Sequence, residues 1–179
     1  MSSNIRAISS LTAVFSVLAV AILMVHCGKK AADTFTLPEN YRQWKKPVDR
    51  VLIYPVPGHG EGARLIFAND KSFDPRVKEG DLYDSVIMKD GSVIIKESYQ
   101  SKDDMGKSDP LVYVMVKDTG VKDAQDGWLY YMKKPDGTLQ RFKGKMCHEC
   151  HAAANESHPY FDGNPDANFR DYLFVPFHR

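Results

Sequence analysis

The sequence predicts an α+β domain, built mainly on an antiparallel β-sheet with short helices at its two ends, behind an export signal. Three observations lead there. Short runs rich in β-branched and aromatic residues recur through the middle of the chain, separated by turn signals such as Pro57-Gly58, Lys89-Asp90-Gly91 and Pro135-Asp136-Gly137. Helix-like texture is confined to the ends of this body, and an unbroken apolar run precedes it. With 179 residues, 43% apolar and 26% charged, the chain has material for one domain plus a tail.

Residues 1–26 read as a signal peptide. Arg6 is their one charge, and Leu11 to Val25 form the apolar run, which stops at His26-Cys27-Gly28-Lys29-Lys30. As a helix that run spans about 22 Å, short of the roughly 30 Å hydrocarbon core, so a signal fits better than a permanent span. Cys27 ends the run as the acylated cysteine of a bacterial lipobox does, although His26 stands where a small residue is usual. Two readings stay open: a lipoprotein anchored through Cys27, or ordinary cleavage nearby with an incidental cysteine. Residues 27–36 read as a tether. Leu37 to Trp44 predict a short helix with Pro38 in its first turn. Val51 to Tyr54, Ala63 to Ala68, Ser92 to Tyr99, Leu111 to Lys117 and Trp128 to Met132 then predict five strands. No internal repeat divides residues 37–179, which form one domain. Beyond Arg6 the acidic and basic residues balance, and they intersperse as on an ordinary solvated surface, so no nucleic-acid partner is expected.

The chemistry sits at Cys147-His148-Glu149-Cys150-His151. In a C-x-x-C-H pentad the two thiols form thioethers with the vinyl groups of a haem, and the adjacent imidazole takes an axial position on the iron. A structural zinc site would need a second Cys or His pair, which the body lacks. A thioredoxin-like pair would come early, between a strand and a helix, whereas this one follows most of the strands. A disulfide across two residues would close almost no loop. The small helical electron carriers attach haem near the N-terminus and take a later Met as sixth ligand; here 28 residues follow His151 and none is Met. Met88, Met105, Met115 and Met132 lie upstream, where core packing is the expected role. His148 is inside the pentad, and His59, His158 and His178 sit among Gly, Pro and polar residues typical of exposed loops. A five-coordinate iron with one open face is therefore the expectation, which means small-ligand binding or catalysis.

Leu37-Pro38-x-x-Tyr41-Arg42-x-Trp44, Arg64 through Asn69, Asp90 through Glu97, Val114 through Asp118, Gly127-Trp128 and Cys147-x-x-Cys150-His151-Ala152-Ala153-Ala154 together resemble the cytochrome P-460 family, from about Leu37 to Phe174. Asp171-Tyr172-Leu173-Phe174 is similar to its closing segment. The resemblance implies a β-rich fold shared with the cytochromes c′-beta, usually dimeric, with one c-type haem packed against the sheet. In the cytochromes P-460 a strand lysine is joined to a haem meso carbon, and the enzyme oxidises hydroxylamine; Lys96 matches that lysine, and Arg64 a pocket arginine able to meet a distal ligand or a propionate. The c′-beta relatives lack the crosslink and bind nitric oxide or carbon monoxide. On this resemblance Lys96 and Arg64 are the catalytic candidates, Cys147, Cys150, His151 and Lys96 hold haem c, and His151 ligates its iron. The expected activity is a haem-dependent oxidoreductase acting on hydroxylamine or nitric oxide, passing electrons to a periplasmic acceptor. The alternative is a non-enzymatic gas-binding or electron-buffering protein. No second-sphere carboxylate is carried over, because the segment between Trp128 and Cys147 lacks a firm alignment.

Overall fold

Antiparallel pairing between strands close in sequence organises the chain. The computed structural model describes residues 35–54, 59, 62–73, 76–77, 86–157 and 164–174. The signal, Cys27, His158 and His178 lie outside the described residues. In chain order the strands are β1 (Ala63–Ala68), β2 (Arg76–Val77), β3 (Val86–Ile87), β4 (Val93–Tyr99), β5 (Leu111–Lys117), β6 (Trp128–Lys133) and β7 (Leu139–Phe142), followed by one α-helix, α1 (Met146–Ala152). Five of them form an antiparallel sheet in the order β1-β4-β5-β6-β7, and β2 pairs only with β3. Single 3-10 turns occur at Tyr41–Gln43, Asp70–Phe73, Lys102–Asp104 and Ala153–Asn155.

Four of the expected strands appear within a residue of their predicted bounds. The Val51 to Tyr54 run makes only a bridge, in which Leu52 and Arg64 exchange both backbone hydrogen bonds (3.1 and 2.8 Å). Pro55 and Pro57 follow, and a residue without an N–H cannot extend a ladder. Strand β7 was not expected. It is the return arm of a hairpin in which Asp136 Oδ1 accepts from the Thr138 N–H and hydroxyl (2.9 and 2.6 Å), so the Pro135-Asp136-Gly137 turn was itself the signal for it. The expected helix at Leu37 to Trp44 contracts to the turn Tyr41–Gln43, since so short a segment cannot offset the cost of helix nucleation.

The strand period sorts the sheet into two faces. On the front, Ala68, Ile94, Met115, Tyr130 and Phe142 form one row across the strands, and Ile66, Lys96, Tyr113 and Met132 form the next. On the back, Phe67, Ile95, Val114 and Tyr131 align, and so do Leu65, Glu97 and Val112. Ile94 and Met115 on the front are buried, as are Ile95, Val112 and Val114 on the back, so β4 and β5 are covered on both faces. Glu97, also buried, accepts hydrogen bonds from the hydroxyls of Tyr41 and Tyr99 and from Arg42 Nε, which ties the N-terminal turn to the back of the sheet. Entry into β1 depends on Gly62: at φ +144° a Cβ there would lie 2.0 Å from the Tyr99 carbonyl oxygen.

Candidate haem site

Helix α1 places Cys147, Cys150 and His151 at i, i+3 and i+4, which puts all three on one helical face. That face closes over the front of the sheet and encloses a cavity of about 440 Å³, within the usual range for ligand pockets. Ile66, Ile94, Met115, Phe142 and Leu173 supply much of its apolar wall, and Cys147, Cys150, His151, Lys96, Arg64 and His59 also line it. The cavity thus brings every expected site residue of the domain together. Both thiols are free, Cys147 half-buried and Cys150 exposed, and burial pushes the Cys147 thiol up from its ordinary pKa.

His151 is oriented from behind. Its Nδ1 donates to the Tyr172 carbonyl (2.8 Å), so the proton sits on Nδ1 and the Nε2 lone pair is left for a metal. Burial lowers its pKa to about 4, against the opposing effect of the bond to Tyr172, so the imidazole is neutral at pH 7. The ring lies against Tyr130 and Phe174, with centroids 5.6 and 5.7 Å away.

The Tyr172 carbonyl is presented by a strained and heavily anchored segment. Asp171 and Tyr172 both adopt left-handed backbone angles (φ 48° and 68°), uncommon for residues other than glycine. Asn155 Oδ1 accepts from the N–H groups of Arg170 and Tyr172 (2.8 and 3.2 Å), and the Tyr172 hydroxyl donates to Asp126 (2.6 Å). The buried Asp171 carboxylate receives Lys117 Nζ (2.7 Å), Trp128 Nε1 (3.1 Å) and the Met88 N–H (2.7 Å). Sequence reasoning marked the Asp171 to Phe174 segment as a motif and missed this role, because the contacts join residues up to 83 positions apart.

Lys96 projects from the front face as the strand period requires. Its ammonium lies 4.7 Å from the centre of the Tyr113 ring, with no carboxylate partner among the described residues. Burial, reinforced by the Arg64 charge, holds its pKa well below the ordinary lysine value. Arg64 is buried; its Nη1 donates to the Tyr54 carbonyl (2.5 Å) and its guanidinium lies 5.5 Å from the Tyr54 ring centre. His148 points elsewhere: its Nε2 meets Asp126 (2.9 Å) and its ring stacks on Tyr172 at 4.4 Å.

His59 corrects an expectation. It stands inside the cavity rather than in an exposed loop, with its ring edge-on to Tyr113 at 4.7 Å. Burial lowers its pKa to about 3, assisted by the charges of Lys96, His151 and Arg64. Proximity to Pro57 and Gly58 misled the sequence reading, since neighbours in the chain do not record what the His59 ring packs against.

Two thiols and one imidazole with a free Nε2, opening into an apolar cavity, fit a haem. Among the described residues no three His, Cys, Asp or Glu side chains converge on a bare metal ion. The family model for cytochrome P460 matches residues 38–175. The chain belongs to the cytochrome P460 family. No curated protein matches it. Membership makes the chain a haem protein, as the resemblance carried by its motifs implied. In this cytochrome P460 family member the middle motifs of that resemblance and the pentad fall on or beside β1, β4, β5, β6 and α1, whereas Leu37 to Trp44 and Asp171 to Phe174 lie outside these elements.

Proposed function

We propose that this protein is an exported c-type cytochrome that binds a small nitrogen compound on the haem face opposite His151 and acts as an oxidoreductase on hydroxylamine or nitric oxide. The observation that carries the reading is the convergence of Cys147, Cys150 and His151 on one cavity with Lys96. Cys147 and Cys150 hold the haem as thioethers, and His151 Nε2 ligates the iron. The haem, when bound, supplies the redox chemistry, and electrons leave to a periplasmic acceptor. Lys96 is the candidate to bond to a haem meso carbon, a step that exchanges one N–H and one C–H bond for an N–C bond and gives up two electrons and two protons to an external two-electron oxidant such as a peroxide. Such a bond requires a neutral amine, and the burial that lowers the Lys96 pKa favours that form. Arg64, already committed to the Tyr54 carbonyl, holds positive charge at the cavity wall and orients a bound anion or propionate.

The c′-beta-like reading, binding without turnover, draws on one observation: among the described residues that line the cavity there is no carboxylate to take a proton from substrate. Acid-acetone extraction, peptide mass spectrometry and the ferrous optical spectrum separate the two. Haem should stay with the polypeptide, and Cys147→Ala with Cys150→Ala should release it; extractable wild-type haem would reject the c-type assignment. Haem linked to the Lys96 peptide, with a ferrous Soret band well to the red of an ordinary c-type haem, supports the oxidoreductase. Haem on the Cys147 and Cys150 peptide alone supports the binding protein.

The proposal includes a periplasmic location, a homodimer, and attachment to the membrane through an acylated Cys27. In the full-length protein Cys27→Ser should move the cytochrome from the membrane to the soluble fraction, and unchanged partitioning would remove the anchor.

A further inference from the structure

The placement of His59 has no role in the reading above. Its carbonyl accepts from Ser98 Oγ on β4 (3.3 Å), and its ring rests edge-on against Tyr113 on β5 (4.7 Å, planes at 89°). Two strands therefore fix where the imidazole stands. His151 lies tilted against Tyr130 of the neighbouring strand β6, with centroids 5.6 Å apart. The two imidazoles line the same cavity with centroids 6.1 Å apart and planes at 89°. The cavity also lines up two sulfur candidates, Met115 and Met132, along the sheet.

We infer that His59 is the second axial ligand of the haem iron in the resting protein, opposite His151, and that a small ligand must displace it to bind. The inference rests on the proposal that His151 ligates the iron of a haem held by Cys147 and Cys150. A histidine nitrogen binds a metal at about 2.0–2.1 Å, so two imidazoles on one metal have centroids roughly 6.4 Å apart, close to the separation found here. Neither ring hydrogen-bonds the other. His151 keeps Nε2 free because Nδ1 is committed to Tyr172, and His59 Nδ1 is buried with no hydrogen-bond partner among the described residues. An unsatisfied buried nitrogen is costly, and ligation gives the ring a strong partner. Arg64 cannot compete, since a guanidinium stays protonated and has no lone pair to offer.

The test uses the purified haem-loaded protein, read by ferric electron paramagnetic resonance and by ferrous carbon monoxide binding. The wild type should be six-coordinate and low-spin. Its carbon monoxide binding rate should level off as the gas concentration rises, because His59 must leave first. In His59→Ala the iron should become high-spin, the rate should stay proportional to concentration, and affinity for carbon monoxide should rise about tenfold or more, because the competing ligand is gone. High-spin iron in the wild type would overturn the inference without any variant. A low-spin signal that persists in His59→Ala would overturn it too, and its loss in Met132→Ala or Met115→Ala would assign the position to a thioether. His59→Gln serves as a second variant if the alanine protein does not fold, with the same spectral outcome required. Release of haem by acid-acetone would mark failure of the attachment proposal instead, so the two are distinguishable.

Discussion

Lys96 and Lys117 lie on adjacent strands and on the same face of one sheet, and each ammonium sits over an aromatic ring, Tyr113 at 4.7 Å and Trp128 at 5.0 Å. Their surroundings differ in one respect. Lys117 meets the Asp171 carboxylate at 2.7 Å and also donates to the Asp126 carbonyl (3.0 Å). Lys96 meets no carboxylate among the described residues, and burial depresses its pKa instead. The Lys117 end of the sheet is where the fold is fastened: Asp171 joins β5, β6 and the segment before β4 to the turn that orients His151. At the Lys96 end the amine has no carboxylate partner among the described residues and its charged form is disfavoured, which fits a residue kept for chemistry rather than for stability. Glu97, one residue along β4, follows the first pattern, with two hydroxyls and Arg42 around its carboxylate on the back face.

The contrast is easiest to break through Asp171. Asp171→Ala should leave the Lys117 cation buried and unpaired, at a cost of about 3–5 kcal/mol in urea unfolding of the haem-loaded protein. Adding Lys117→Met should return about 1–3 kcal/mol of that loss, because no orphaned charge remains. A loss below about 1 kcal/mol for Asp171→Ala would mean the pair does not fasten the fold. The same variant sharpens the link to the site. With the Asp171 anchor gone the Tyr172 carbonyl should no longer hold His151 Nδ1, so the spectrum of the haem should change even under conditions where the protein is folded.

Lys96→Met is the smallest expected effect on stability and the informative one on chemistry. Because Lys96 has no carboxylate partner among the described residues, the substitution should alter the unfolding free energy by no more than about 1 kcal/mol, while the proposed haem link to residue 96 and its red-shifted ferrous band disappear. A stability loss as large as that of Asp171→Ala would place Lys96 among the fastening residues and erase the difference between the two lysines.

Gly127 shows how closely the fastening end is built. At φ +80° it follows Asp126, and a Cβ there would lie 2.8 Å from the Thr119 methyl and 3.2 Å from Lys117 Cε, so the turn into β6 accommodates only glycine beside the buried lysine. The sequence motif Gly127-Trp128 is therefore one packing unit with Lys117, since Trp128 Nε1 also reaches Asp171.

Local pattern was enough to read several features of this protein. Four sheet strands, the alternation that puts Lys96 opposite Glu97, and the pentad at Cys147, Cys150 and His151 all depend on residues within a few positions of one another, and period and spacing record such relations directly. The ordered motifs identified the family for the same reason. Only the tertiary structure decided which of two lysines on one face meets a carboxylate among the described residues, that His59 enters the same cavity as His151, and that Tyr172 turns its carbonyl onto the His151 imidazole. Each of these joins residues tens of positions apart through a single contact, Asp171 with Lys117 across 54 positions and His151 with Tyr172 across 21. Contacts of that kind leave no periodic trace in the chain, because they arise from where the strands and the closing turn come to rest against one another.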